Sequence, residues 1–172
     1  HPDVELQISA NLRLIDFQSD EIDCAIRFGN GDYPDLNVEP VFHDTVTPMF
    51  APSFIERGLK KPEDLKNLTL IHDDSMIHID QTPGWAEWVR RAGVPDVDVS
   101  RGIRFNYADH SIDAAVDGAG VTLGRTSLAA RDIKLGRLVT PFDINLSTPA
   151  AFWFVCEKRD LKKHKVAVFR EW

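Results

Sequence analysis

The chain has 172 residues, 43% hydrophobic and 27% charged, with a formal net charge of −7 and a pI near 5.3. This is the profile of an ordinary globular protein with enough chain for one good core or two small lobes, and no run of apolar residues is long enough to cross a membrane. The acidic balance argues against this chain holding DNA itself, because that affinity rests on Lys and Arg against phosphates, and the group Lys158, Arg159, Lys162, Lys163 and Lys165 reads as a solvated face.

The chain opens on His1, in mid-pattern and with no signal-peptide pattern before its first motif, and is expected to be a piece of a longer protein. Val4, Leu6 and Ile8 alternate, which predicts a strand closing at Ser9-Ala10-Asn11, and a short helix is expected over 12–18. The most informative stretch follows at Glu21–Leu36. Ile22, Cys24, Ile26 and Phe28 alternate with Asp23, Ala25 and Arg27, then run into Gly29-Asn30-Gly31-Asp32, a strand emptying into a Gly-rich loop. Residues 38–49 read as extended, with Pro40 and Pro48 limiting regular pairing. Pro52-Ser53 and Pro62 each open a short helix, the first stopping at Gly58. A strand over 68–72 leads into the longest structureless piece, 73–84.

Trp85, Trp88 and Val89 at i, i+3 and i+4 predict a helix over 85–92 with Gly93 as its stop. Strands are expected at 103–105, 121–123, 138–139 and 151–155, and helices at 109–117, 127–131 and 163–172. Gly118-Ala119-Gly120 follows a helix and precedes a strand, the wrong order for a dinucleotide fingerprint, and reads as a helix cap and turn. Alternating strands and helices predict an α/β fold with a mostly parallel sheet. Cys24 and Cys156, the only cysteines, each sit among alternating apolar residues as small buried hydrophobes; a disulfide between them stays open, one pair makes no framework, and a reducing, cytoplasmic setting fits better than secretion.

Seven blocks in order resemble the effector-binding domain of LysR-type transcriptional regulators, most of all the glycine-cleavage-activator-like subgroup. They are His1-Pro2-x-Val4-x-Leu6, the Asp23–Leu36 signature, Pro48-Met49-Phe50-Ala51-Pro52, His72-Asp73-Asp74, Trp85-x-x-Trp88 with Ala92-Gly93-Val94, Ala114-Ala115-x-x-Gly118-x-Gly120-Val121, and Leu138-Val139-x-Pro141-Phe142. The resemblance implies two Rossmann-like lobes of the type II periplasmic-binding-protein kind, joined by two crossover segments. Lobe one would hold residues 1–43 and 128–172, and lobe two 44–127. Relative to the family, the winged helix-turn-helix and the first strand and helix of lobe one are missing. The resemblance further implies no enzyme activity and no cofactor. It implies a cytoplasmic protein with a small-molecule effector, an organic acid or amino-acid-like. DNA would be bound only through the missing domain, in a homodimer or homotetramer.

By the same resemblance the effector lies between the lobes near the C-terminal ends of strands. Ser9, Ala10 and Asn11 would face it, or form an ordinary strand-to-helix cap. Gly29 and Asn30 follow the next strand, as a cleft wall or a plain turn. His72 and Asp73 end a lobe-two strand, and the His is either an effector contact or a satisfied structural group. Tyr107, Ala108 and Asp109 open a helix, where free N–H groups receive anions. Ala108 and Asp109 stand where the family commonly has Ser, and Asp109 reads alternatively as an N-cap. Of Phe152 and Trp153, one faces the core and Trp153 is the candidate contact. No HxxxH, CxxC, Gly-x-Ser-x-Gly or P-loop pattern supports a metal or catalytic reading. A periplasmic solute-binding protein is the alternative on the same fold, and a small α/β enzyme, cyclohexadienyl dehydratase-like, is a third.

Overall fold

The computed structural model describes residues 1–10, 13 and 16–171. In chain order its elements are β1 (Ala25–Gly29), β2 (Leu36–Met49), α1 (Ser53–Glu56), a 3-10 helix at Pro62–Asn67, β3 (Leu70–Asp73), a 3-10 turn at Asp74–Met76, α2 (Trp85–Ala92), β4 (Ile103–Phe105), α3 (Ala108–Val116), β5 (Val121–Arg125), α4 (Thr126–Lys134), β6 (Leu146–Glu157) and α5 (His164–Glu171). They form two compact units, His1–His43 with Ala150–Trp172, and Asp44–Pro149.

In the first unit β1 pairs antiparallel with β6, from Ala25 opposite Val155 to Gly29 opposite Ala151. Directly opposed side chains share a face, so Phe28 meets Phe152 at 4.8 Å between ring centroids, and Phe42 adds its ring to Phe152 at 4.7 Å. Phe154, Cys156 and Val166 form the core, with Cys24, Leu161 and Phe169 packed on it. The strand expected at 4–8 is absent: these residues take no regular structure, and Leu6 and Ile8 are 55% and 80% exposed. Alternation buries a face only where a neighbouring strand accepts the backbone hydrogen bonds, and residues 4–8 have no such ladder. In place of the helix expected over 12–18, residues 17–19 form a turn, and the Asp16 carboxylate receives the Gln18 N–H at 3.0 Å; Leu12, Leu14 and Ile15 lie outside the described residues.

In the second unit the strand order is β2-β5-β3-β4. Val46 to Met49 of β2 run antiparallel to Arg125 to Thr122 of β5, whereas β5 and β4 flank β3 in parallel. The second unit's sheet is therefore mixed rather than mostly parallel, because β2 pairs antiparallel with β5. Met49, Ile71, Ile112, Ala115, Ala129 and Leu138 make its core, placing α3 and α4 on the sheet.

The chain returns to the first unit at Ala150 rather than at Leu128. The intervening segment stays where its apolar groups are buried. Val139 bridges Phe50, Phe142 lies 5.6 Å from the Trp88 ring, and Trp88 Nε1 donates to the Ile144 carbonyl at 3.1 Å. Val139 makes only that isolated bridge, not the strand expected at 138–139. Helix α2 covers the predicted span with Trp85, Trp88 and Val89 buried on one stripe, and Gly93 closes it in the left-handed conformation at φ 73°.

Candidate functional site

The parallel strands β3, β4 and β5 end on one edge of the second unit's sheet, and each runs into a helix or turn. Such an edge is where α/β folds gather ligand-binding groups. Its charged centre is Arg125, the last residue of β5 and only 7% exposed. Among the described residues it is the one cation that is buried. Arg125 Nη2 donates to Ser75 Oγ at 3.1 Å and lies 3.7 Å from Asp73 Oδ2 at the end of β3. Burial pulls the guanidinium below its ordinary pKa, while the carboxylates of Asp73, Asp44 and Asp109 act the other way.

Asp44, also buried, is the second fixed point. Its carboxylate receives the Thr126 hydroxyl at 3.0 Å, the Ser127 N–H at 3.1 Å, the Ser127 hydroxyl in a short contact, and the Thr45 N–H at 2.9 Å. These bonds satisfy a first-turn N–H of α4 from a distant strand, where the N-cap position, Arg125, supplies no side-chain cap. Thr45 and Thr126 share a further hydroxyl bond at 3.0 Å. The Asp44 carbonyl accepts from Thr148 Oγ1 at 3.2 Å.

The expected site residues fall into distinct environments. Asp73 Oδ1 receives the Ser75 N–H at 2.9 Å, so this carboxylate both turns the chain and faces Arg125. His72 Nε2 is 3.1 Å from the Arg101 carbonyl, which assigns that nitrogen its hydrogen and gives the ring a structural partner. Tyr107 is the extended N-cap residue of α3 without a side-chain cap bond, and its ring lies 5.5 Å from that of His110. Ala108 is buried, its carbonyl accepting from Ser111 Oγ at 2.7 Å. Asp109 is exposed and sits in the first turn of α3, not at the N-cap position.

In the first unit the structure joins Gly29 to Trp153, whose Nε1 donates to the Gly29 carbonyl at 2.7 Å. The Trp153 ring lies against Gly31, where a Cβ would come within 2.6 Å of ring carbon Cζ2 and φ is +80°. Asn30, Ser9 and Ala10 are exposed, and Asn11 lies outside the described residues.

Arg125, Asp44, Ser75, Thr126 and Ser127 were not among the residues expected from the sequence. One signal was present: Val121-Thr122-Leu123-Gly124 ends on a charged residue followed by the cap-forming pair Thr126-Ser127. Among the described residues no group of three or more His, Cys, Asp and Glu is placed to hold a metal ion. None of the described helices is long and apolar enough to cross a membrane.

The family model described as LysR substrate binding domain matches residues 1–172. The glycine cleavage system transcriptional activator of Escherichia coli K12 is 34% identical over 174 residues, covering all of this chain and 55% of that protein. Its homolog in Haemophilus influenzae is 27% identical over 173 residues, covering all of this chain and 56% of that protein. The chain thus spans about half the length of these curated relatives. Among solved structures, the effector domain of the transcriptional regulator AmpR of Pseudomonas aeruginosa superposes with a TM-score of 0.78 at 26% identity, covering 100% of this chain and 80% of that one. The AmpR effector binding domain of Citrobacter freundii gives 0.80 at 20% identity, covering 99% and 82%.

Proposed function

This chain belongs to the LysR substrate-binding domain family, with its type II periplasmic-binding-protein-like fold, and from that membership we propose that it senses a small molecule for a regulator of transcription. The match of one family model to residues 1–172 carries the reading. The two curated relatives and the Pseudomonas aeruginosa structure are named as activators or regulators of transcription, and the Citrobacter freundii structure as an effector binding domain.

The effector is a small organic acid or an amino-acid-like compound. Its carboxylate is read at the strand edge of the second unit by Arg125 and Ser75, with the first N–H groups of α3 at Tyr107-Ala108-Asp109. A planar guanidinium suits a carboxylate because its donors match two oxygens at once. Asp73 and Asp44 hold that guanidinium charged and in place, and His72 supports β3 rather than the ligand. In the full-length protein, DNA is held by a separate domain, in a cytoplasmic homodimer or homotetramer. The effector acts only through a preference for one conformation, since equal affinity for two states shifts nothing.

Thermal denaturation against a panel of amino acids and small organic acids tests this. A binder at 100 times its Kd stabilises the native state by about 2.7 kcal/mol. That stabilisation should disappear in Arg125→Met. A panel that leaves the transition unmoved, together with a full-length protein that shows no sequence-specific DNA binding, would overturn the reading.

A further inference from the structure

The two cysteines lie at the same end of the β1–β6 ladder, Cys156 within β6 and Cys24 just before β1. Ala25 of β1 faces Val155 of β6 in the antiparallel register, so one further step sets Cys24 against Cys156. Both are free thiols, and both belong to the core of the first unit, where Cys24 packs on the cluster of Phe154, Cys156 and Val166. Directly opposed residues in an antiparallel pair have Cα atoms about 4.5–5.5 Å apart, inside the span of about 4.4–6.8 Å that a disulfide bridges. Their side chains share a face. The pair four positions further on, Phe28 and Phe152, lies on the same face, with rings 4.8 Å apart.

We propose that Cys24 and Cys156 are a latent dithiol that closes to an intramolecular cross-strand disulfide when the protein meets a low-molecular-weight disulfide. Cys24 is half-buried and Cys156 has no solvent exposure, which orders the steps. The Cys24 thiolate attacks the small disulfide, forming a mixed disulfide and expelling one small thiolate. The Cys156 thiolate then attacks Cys24 Sγ and expels the second. Two protein thiols lose two electrons and two protons; the small disulfide gains both and leaves as two thiols. The new bond ties the first step of the β1–β6 ladder beneath α5, where Val166 closes the cluster. Burial foremost, then the neighbouring Cys156 and Asp23, pushes the Cys24 thiol up to about 11, so little of it is thiolate and the first step is slow.

Purified protein is incubated with oxidised glutathione, then denatured in a maleimide and mapped by mass spectrometry. The expected product is lighter by two hydrogens, carries no maleimide, and yields one cross-linked peptide joining Cys24 to Cys156. Dithiothreitol should restore two alkylatable thiols. In Cys156→Ser the glutathione adduct should instead accumulate on Cys24. If that variant does not fold, the wild-type map decides alone. Two thiols still fully alkylated after long exposure, a stable glutathione adduct on wild-type Cys24, or a link found only between two chains would overturn the proposal.

Discussion

Arg125 and Asp73 meet at 3.7 Å with their side chains 8% and 3% exposed. They stand at the ends of parallel neighbours, β5 and β3. The separation is longer than the roughly 2.7–2.9 Å of a charge-assisted hydrogen bond, so Asp73 acts on Arg125 by charge, while its Oδ1 is committed to the Ser75 N–H. Removing one member of a buried pair strands the other, a loss of about 3–5 kcal/mol. Asp73→Ala is expected near the lower end, about 3 kcal/mol, because the pair is long. Asp73→Asn should lose less, since an amide oxygen still accepts from Ser75. Urea unfolding should show a lower midpoint at unchanged slope. An Asp73→Ala protein within about 0.5 kcal/mol of wild type, the range of plain surface changes, would mean that the carboxylate does not hold Arg125.

Asp44 reaches across the sequence to Ser127, 83 positions later, and receives its N–H at 3.1 Å. Asp44→Ala leaves that N–H and the Thr126 and Ser127 hydroxyls without their acceptor in a buried place. A lost cap amounts to about 0.5–2 kcal/mol, and hydrogen bonds to a charged group to about 1.5–3 kcal/mol each. A total of about 3 kcal/mol is expected, since water will reach some of these donors. Hydrogen exchange localises the effect: amides in the first turn of α4 should exchange faster, those of α2 at the global rate. Uniform acceleration in both helices would show that Asp44 does not act as the cap of α4.

Local patterns carried the elements whose cause is local. Helix α2 was legible because Trp85, Trp88, Val89 and Gly93 specify stripe and stop within nine positions. Strand β4 was legible over its three residues. Val4, Leu6 and Ile8 have the same alternation as a strand and form none, because a strand is completed by a neighbour that local sequence does not contain. The same limit hid the second unit's charged edge. Asp73 and Tyr107 to Asp109 stand out as strand ends running into helices or turns. Asp44 is unremarkable in its own segment, Arg125 shows there only as a charged strand end before Thr126-Ser127, and the two come together only when β2 pairs with β5, Val46 opposite Arg125. The return at Ala150 was unreadable for a related reason: Phe142 and Leu138 are apolar in any lobe, and only the Trp88 and Phe50 rings around Phe142 and the Met49 and Ile71 cluster around Leu138 show which one buries them.

Gly31→Ala tests the packing of Trp153. The substitution places a side chain at φ +80°, and its Cβ would lie 2.6 Å from a Trp153 ring carbon. Left-handed backbone alone costs about 1–2 kcal/mol for a residue with a Cβ, and the ring must also move. The expected result is a loss of about 2 kcal/mol with a red-shifted tryptophan emission as Trp153 leaves the Gly29 carbonyl. In a Trp153→Phe background the spectral change should vanish and part of the stability loss should be relieved. Equal losses in both backgrounds would show that the backbone, not the ring, sets the cost.

The pH dependence of stability has a predictable contributor at Asp64. Its Oδ2 accepts the N–H groups of Lys60 at 2.9 Å and Lys61 at 3.0 Å, ahead of the 3-10 helix at Pro62–Asn67. Those two donors, Lys60 first, hold the carboxyl below its ordinary pKa, because the N–H groups bond the ionised form best. A carboxyl with a lower pKa folded than unfolded binds fewer protons in the native state. Its stabilisation is therefore complete above the unfolded value of about 3.9 and is lost as the pH falls through the folded value. Asp64→Asn lacks this titration. The stability difference between wild type and Asp64→Asn should be constant from about pH 7 to about pH 5 and shrink steadily towards about pH 2. Urea midpoints for both proteins across that range measure it. A difference that persists undiminished at the acid end would show that the Asp64 charge contributes nothing to the turn.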